Sequence, residues 1–143
     1  MIEAARAVAT LAAGVFAGAA IYVSVAEHPA RLECGTVLAA TEFVPSYRRA
    51  AFMQASLAIV GSIGALYAWL LGAGAIWLYG GAFLFFVVPF TLVAIMGTNK
   101  RLLDPALDRA SDEAHRLLLR WGRLHAVRSV AGAASFIAFV LAR

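Results

Sequence analysis

The sequence predicts an all-α integral membrane four-helix bundle, and three observations carry that prediction. The 143 residues are 63% apolar and 14% charged, with a mean hydropathy of +0.83. An ordinary soluble domain is roughly 45–50% apolar and about 25% charged. Residues 7–26 and 50–99 contain no charged side chain at all. The charges are instead grouped in two polar stretches: 27–49, with three basic and three acidic residues, and 100–128, with seven basic and four acidic. The excess of twelve Lys and Arg over eight Asp and Glu suits lipid headgroups and membrane topology better than nucleic acid. A single domain over 1–143 follows, with spans at about 5–26, 51–71, 75–96 and 112–142, the last with its N-terminal part outside the membrane.

The first uncharged run is long enough, at ~1.5 Å rise per residue, to cross ~30 Å of hydrocarbon. Its Ala17-Gly18-Ala19 resembles a signal-cleavage site. Glu3 offsets Arg6, however, and the apolar run exceeds the ~7–15 residues of a signal peptide core, so a retained span is expected. Gly14 and Gly18 form a GxxxG pair that lets another helix approach closely. Pro29 ends this helix or starts a short interfacial one. The connection 27–50 is a mixed polar and apolar loop, with Glu42, Arg48 and Arg49 as loop charges and Ser46 as a cap for the second span.

The run 50–99 is too long for one span and right for two joined by a hairpin. The break falls at LLGAGA, residues 70–75, where Gly72 and Gly74 supply the turn. Trp69, Trp77 and Tyr79 cluster there as an aromatic belt. Pro89 kinks the third span and frees a carbonyl near Phe85 or Phe86. Asp104-Pro105 reads as a helix cap and first position, and Ser111-Asp112-Glu113 as a second, stronger start. From there a helix can run unbroken to Leu141.

Four spans put both termini and the glycine hairpin on one side, with only Arg6 and Arg143. The other ten basic residues lie on the opposite side. The positive-inside rule then places the polar loops in the cytoplasm and both termini outside, in a bacterial inner membrane. Small-residue faces suit packing against copies of the chain, so a homo-oligomer or a subunit of a membrane complex is expected. The lone Cys34 excludes an internal disulfide; with no charged partner apparent, it packs near the membrane surface rather than reacts.

Chemistry is expected where ionisable groups enter the membrane. At about 100° per residue, Trp121, His125, Arg128, Gly132 and Ser135 share a narrow arc of the last helix. Arg116, Arg120 and Arg123 lie on the far side, where they can reach headgroups. The ends of the other spans bring Glu27, His28, Arg31 and Asn99 to the same membrane face. Tyr22, Ser24 and Gln54 lie nearby as packing residues, and Arg128 is a candidate partner for Glu27. His115 is a surface residue. No CxxC, HExxH or His pair at i,i+4 marks a metal site. His28 and His125, on different helices, could hold a haem axially. Haem- or quinone-binding by these histidines, and a purely structural role for the polar mouth, stand beside the catalytic reading.

EHPARL after the first span, VVPFTLVAIMGTNKRL at the end of the third and RWGRLHAVRSVAG opening the fourth resemble the anthrone oxygenase-like family of small four-span membrane proteins. The resemblance covers nearly the whole chain and departs at Gly97, where a Pro commonly precedes Thr-Asn. It implies a lipophilic small-molecule substrate, an anthrone oxidised to an anthraquinone by dioxygen. In that reaction His125 or His28 would take the methylene proton, and Arg128 and Asn99 would stabilise the enolate oxygen. Trp121 would wall the flat substrate, with Glu27 and Arg31 as further substrate-binding residues. The electron-rich enolate can react with dioxygen directly, so no metal is strictly required.

Overall fold

The computed structural model describes residues 1–142; Arg143, one of the two basic residues expected at the terminal side, lies outside them. Four helices are long and apolar enough to cross a membrane: α1 (Ile2–Glu33), α2 (Thr36–Leu70), α3 (Ala75–Leu102) and α4 (Asp112–Leu141). There is no strand among the described residues. The fold is an all-α four-helix membrane bundle, as the composition and the uncharged runs require.

Each helix buries one stripe at helical spacing. In α2 it is Gln54, Ala58, Gly61, Ala65 and Ala68, alternating by four and three. In α3 it is Trp77, Gly80, Gly81, Leu84 and Val87. In α4 the stripe runs through Leu118, Trp121, His125, Ser129, Gly132, Ser135 and Phe139. Such a stripe fits a bundle of nearly aligned helices. The remaining faces carry large exposed hydrophobics such as Leu11, Val15, Ile63, Phe83, Phe85 and Val130. Water would not tolerate that surface; lipid does.

α1 packs on α2 and α4, and α3 packs on the same two helices, so the chain goes round the bundle in sequence order. Close approach is set by small residues. A Cβ on Gly64 would meet the Ala9 backbone nitrogen at 3.1 Å, and one on Gly61 would meet Leu84 at 2.6 Å. The GxxxG pair behaves differently from expectation. Gly14 packs on the Phe136 ring, but nothing lies within 4 Å of a Cβ at Gly18, so only one of the two glycines serves a helix contact.

The hairpin between α2 and α3 falls at 71–74, with Gly72 and Gly74 at φ +90° and +99°, a region open to glycine at little cost. The connection 27–50 is not a loop. α1 continues to Glu33 and α2 starts at Thr36, with only a tight turn at Cys34-Gly35 between them. Ala39, Ala40 and Phe43 bury one face of the new helical segment, and burial overrides its mixed composition. Pro45 sits inside α2 with its ring on the exposed side. Ser46, Glu42, Arg48 and Arg49 are therefore helical residues, and Ser46 caps nothing. Cys34 is exposed.

Asp104-Pro105 does not begin a helix either. The Asp104 carboxylate accepts from the Ala106 N–H at 2.9 Å, a local turn that competes with helix formation. The helix starts at the second site, where Ser111 Oγ accepts from the Ala114 N–H at 3.2 Å.

Candidate functional site

Pro29 of α1 and Pro89 of α3 each lie beside a widened π turn. In α1 the turn covers Val23–Glu27 and closes with the His28 N–H on the Val23 carbonyl. In α3 it covers Thr91–Ile95, just beyond Pro89. A proline ring clashes with the carbonyl four residues before it, and for Pro29 that carbonyl lies within the π turn, which gives it room. The consequence for the site is positional: the α1 turn presents Ser24 to α4, and the residues after it bury His28 and Arg31.

α4 supplies the centre. The arc expected from helical phase faces inward: Trp121, His125, Gly132 and Ser135 are buried, while Arg116, Arg120 and Arg123 are exposed. His125 Nδ1 lies 3.1 Å from Ser24 Oγ, which lies 2.9 Å from Ser129 Oγ. Ser129 donates to the Ala20 carbonyl at 2.9 Å. The Trp121 indole stacks on His125 at 4.7 Å between centroids and packs at 5.1 Å on His28. Phe43 meets its edge at 5.2 Å, and Tyr47 stacks on Phe43 at 5.4 Å. Asn99 is buried and donates to the Tyr47 hydroxyl at 2.9 Å.

Two arginines approach this aromatic centre with different partners. Arg31 is ion-paired to Glu27 and, at 2.9 Å, to Glu42; Ser46 donates to Glu27 at 2.8 Å. Arg128 does not meet Glu27. Its guanidinium donates to the Gln54 side-chain carbonyl at 2.9 Å and lies 5.9 Å from the Phe16 ring centroid, and its Nε has no partner. Arg31 is thus charge-compensated by two carboxylates and Arg128 by none among the described residues.

Two cavities flank the Arg128–Gln54 hydrogen bond. A cavity of about 20 Å³ lies among Arg31, Phe43, Ser46, Tyr47, Trp121, His125 and Arg128, with room for a molecule the size of water. A cleft of about 190 Å³ lies among Phe16, Tyr47, Ala55, Val87, Thr91 and Arg128. Tyr47, Ala51, Gln54 and Arg128 line both, so this pair forms the partition. A larger apolar groove, about 700 Å³ between Tyr79, Phe83, Phe86, Val127 and Val130, lies on the outer face and has no Asp, Glu, His, Lys or Arg in its lining.

The residues named from sequence therefore separate into three groups. His125, Arg128, Trp121 and Arg31 line the small cavity. Asn99 reaches its edge only through Tyr47, and Glu27 serves Arg31. His28 is packed behind Trp121, against Gly122: a Cβ there would stand 2.6 Å from His28 Nε2. Neither ring nitrogen of His28 makes an aligned hydrogen bond. Axial ligation of a haem by both histidines does not fit this arrangement, because His28 Nε2 is closed off by the α4 backbone and both imidazoles rest on the same indole. No group of three His, Cys, Asp or Glu is placed to hold a metal among the described residues. Gly97 is inside a helical segment, Met96–Leu102, so Asn99 is held by a regular turn. Tyr47, Gln54, Ser24 and Ser129 complete the site. Sequence reasoning passed over Tyr47 and Ser129 and took Gln54 and Ser24 as packing. Their available signal was polarity at the buried register of apolar helices.

Four membrane-length helices enclosing a cluster of ionisable and aromatic side chains define a small polytopic integral membrane protein. The family model for anthrone oxygenase matches residues 43–138, about two thirds of the chain, and the protein belongs to that family. The matched stretch contains Tyr47, Gln54, Asn99, Trp121, His125 and Arg128; Ser24, Glu27, His28 and Arg31 precede it. No curated protein and no solved structure matches the chain.

Proposed function

We propose that the protein is a membrane-embedded oxygenase-like oxidoreductase acting on a lipophilic aromatic of the anthrone type. Family membership supports the oxygenase-like role. The observation that carries the reading is the pairing, around one cavity, of an imidazole with a guanidinium that has no carboxylate partner. A half-buried cation with no counter-ion among the described residues is placed to receive negative charge as it develops.

The ring methylene of an anthrone is acidified by the opposite ketone. His125 takes one methylene proton, and the electron pair left behind moves into the ring system as an enolate whose oxygen is held by Arg128. The Tyr47 hydroxyl, held by Asn99, is a second donor at the same wall. The enolate carbon is electron-rich and transfers electrons to dioxygen. A C–O bond forms, and the peroxide takes up a proton. Loss of the second methylene hydrogen and cleavage of the O–O bond then release water and leave the new carbonyl. One oxygen atom ends in the quinone and the other in water. His125 is preferred over His28 as base because the His28 Nε2 is sealed against Gly122.

The small cavity is below the ~300–1,000 Å³ usual for ligand clefts. The neighbouring cleft, at about 190 Å³, is below that range too, so the substrate body widens this cleft and the Gln54–Arg128 partition opens to admit its reacting edge. We place the charged mouth on the cytoplasmic side of a bacterial inner membrane, with both termini outward, by the excess of basic residues there. The test is oxygen uptake by purified protein in lipid nanodiscs supplied with an anthrone. The reading expects quinone absorbance to grow with one dioxygen consumed per anthrone, above the rate of empty nanodiscs. Uptake no faster than in empty nanodiscs would remove the activity.

A further inference from the structure

We propose that Ser24 and Ser129 form a hydroxyl relay that fixes the tautomer of His125, holding the proton on Nδ1 and leaving Nε2 bare. The relay itself stands on geometry alone; its use in catalysis rests on the reading of His125 as the base.

At the far end of the relay the acceptors are backbone carbonyls. Ser129 Oγ lies 2.9 Å from the Ala20 carbonyl and 3.3 Å from the His125 carbonyl. Carbonyl oxygens only accept, so the single Ser129 proton is committed to them. Ser129 Oγ can then only accept from Ser24, at 2.9 Å, which commits the Ser24 proton in turn. Ser24 Oγ is left as an acceptor for His125 Nδ1, at 3.1 Å. One proton assignment alone satisfies all three contacts: Nδ1–H to Ser24, Ser24 O–H to Ser129, Ser129 O–H to the backbone.

Two features of the fold serve this arrangement. The π turn Val23–Glu27 presents Ser24 to α4, and Ser129 follows His125 by one helical turn on the same buried stripe. The relay runs between α1 and α4, where water to replace a missing partner is scarce. The orienting group is a neutral hydroxyl chain rather than a carboxylate. It therefore sets which nitrogen is bare without adding negative charge beside Arg128. When Nε2 takes a proton, Nδ1–H stays on Ser24 and no other group has to move. Ser24 and Ser129 are positioning residues in this account.

The experiment is nitrogen NMR of ¹⁵N-histidine-labelled full-length protein in lipid nanodiscs, with the three histidines assigned by His28→Gln and His115→Gln variants. The wild-type His125 ring is expected to show a protonated Nδ1 and an unprotonated Nε2. Ser24→Ala is expected to lose that signature, and Ser24→Thr, which keeps the hydroxyl, to retain it. In the oxygen-uptake assay Ser24→Ala should lower kcat by ~10–100-fold with KM little changed, and Ser24→Thr should restore it. Protonated Nε2 in the wild type, or an unchanged tautomer in Ser24→Ala, overturns the relay. Should Ser24→Ala not fold, Ser129→Ala breaks the same chain one link further on, and the wild-type spectrum decides alone. The expected tautomer with no anthrone turnover would sink the proposed activity and leave the relay standing.

Discussion

Arg128 of α4 donates to Gln54 of α2 at 2.9 Å across 74 positions of sequence, and no carboxylate among the described residues shares that guanidinium. The bundle carries a positive charge that is hydrogen-bonded and not neutralised. Gln54→Glu places a carboxylate at that position with almost no change of shape. The unfolding midpoint in detergent should hold or rise, since the charge gains a counter-ion. Turnover should fall by ~10²-fold, the usual effect of removing one donor to a developing oxyanion. A variant that keeps full turnover would separate Arg128 from the chemistry.

Gly122 is the backbone surface against which His28 lies, with Nε2 only 2.6 Å from where a Cβ would be. Gly122→Ala should destabilise the bundle by about 1–3 kcal/mol through overpacking. Combined with His28→Ala, the same change should cost far less, because the clashing ring is gone. Denaturation of both single variants and the double variant gives the coupling; additive costs would show that the two residues do not press on one another.

The inward arc of α4 was legible because it rests on one geometric fact, the 3.6-residue period, applied to a long uninterrupted helix. That placed Trp121, His125 and Arg128 together and sent Arg116, Arg120 and Arg123 to the surface. The partners of those residues were not legible. Gln54 meets Arg128, and Ser24 meets His125, through the packing of separate helices, which no local period encodes. The π turn at Val23–Glu27 shifts the phase of everything after it, and Pro29 marks its neighbourhood without stating its form. The helical run from Thr36 was hidden by polar residues and Pro45, although Ala39, Ala40 and Phe43 already kept helical spacing.

Glycines in this chain divide by what surrounds them. A Cβ on Gly80 would stand 2.5 Å from Phe139, whose ring is stacked on Trp77 at 4.9 Å and cannot yield freely. Gly80→Ala should lower the unfolding midpoint by an amount worth about 1–3 kcal/mol. Gly18 has nothing within 4 Å, so Gly18→Ala should be neutral or stabilise by up to about 1 kcal/mol through lost chain entropy. Equal effects of the two changes in a denaturation series would contradict the packing described for α3 and α4.

Asn99 reaches the site through one hydrogen bond to Tyr47, at 2.9 Å. Tyr47→Phe leaves the buried amide without its acceptor and should cost about 1–3 kcal/mol. Removing both polar groups, in Tyr47→Phe with Asn99→Leu, should return most of that loss, since no orphaned amide remains. A double variant as unstable as the sum of the two single ones would mean that the pair is not coupled.

The central claim is that His125 takes a proton from the substrate. Its most direct test is anthrone-dependent oxygen uptake and quinone formation by His125→Ala, beside wild-type protein in the same nanodiscs. The account predicts a kcat lower by ~10²–10⁴-fold, the usual contribution of a general base, in a variant that still inserts and folds. Uptake at the wild-type rate from that folded variant would contradict it.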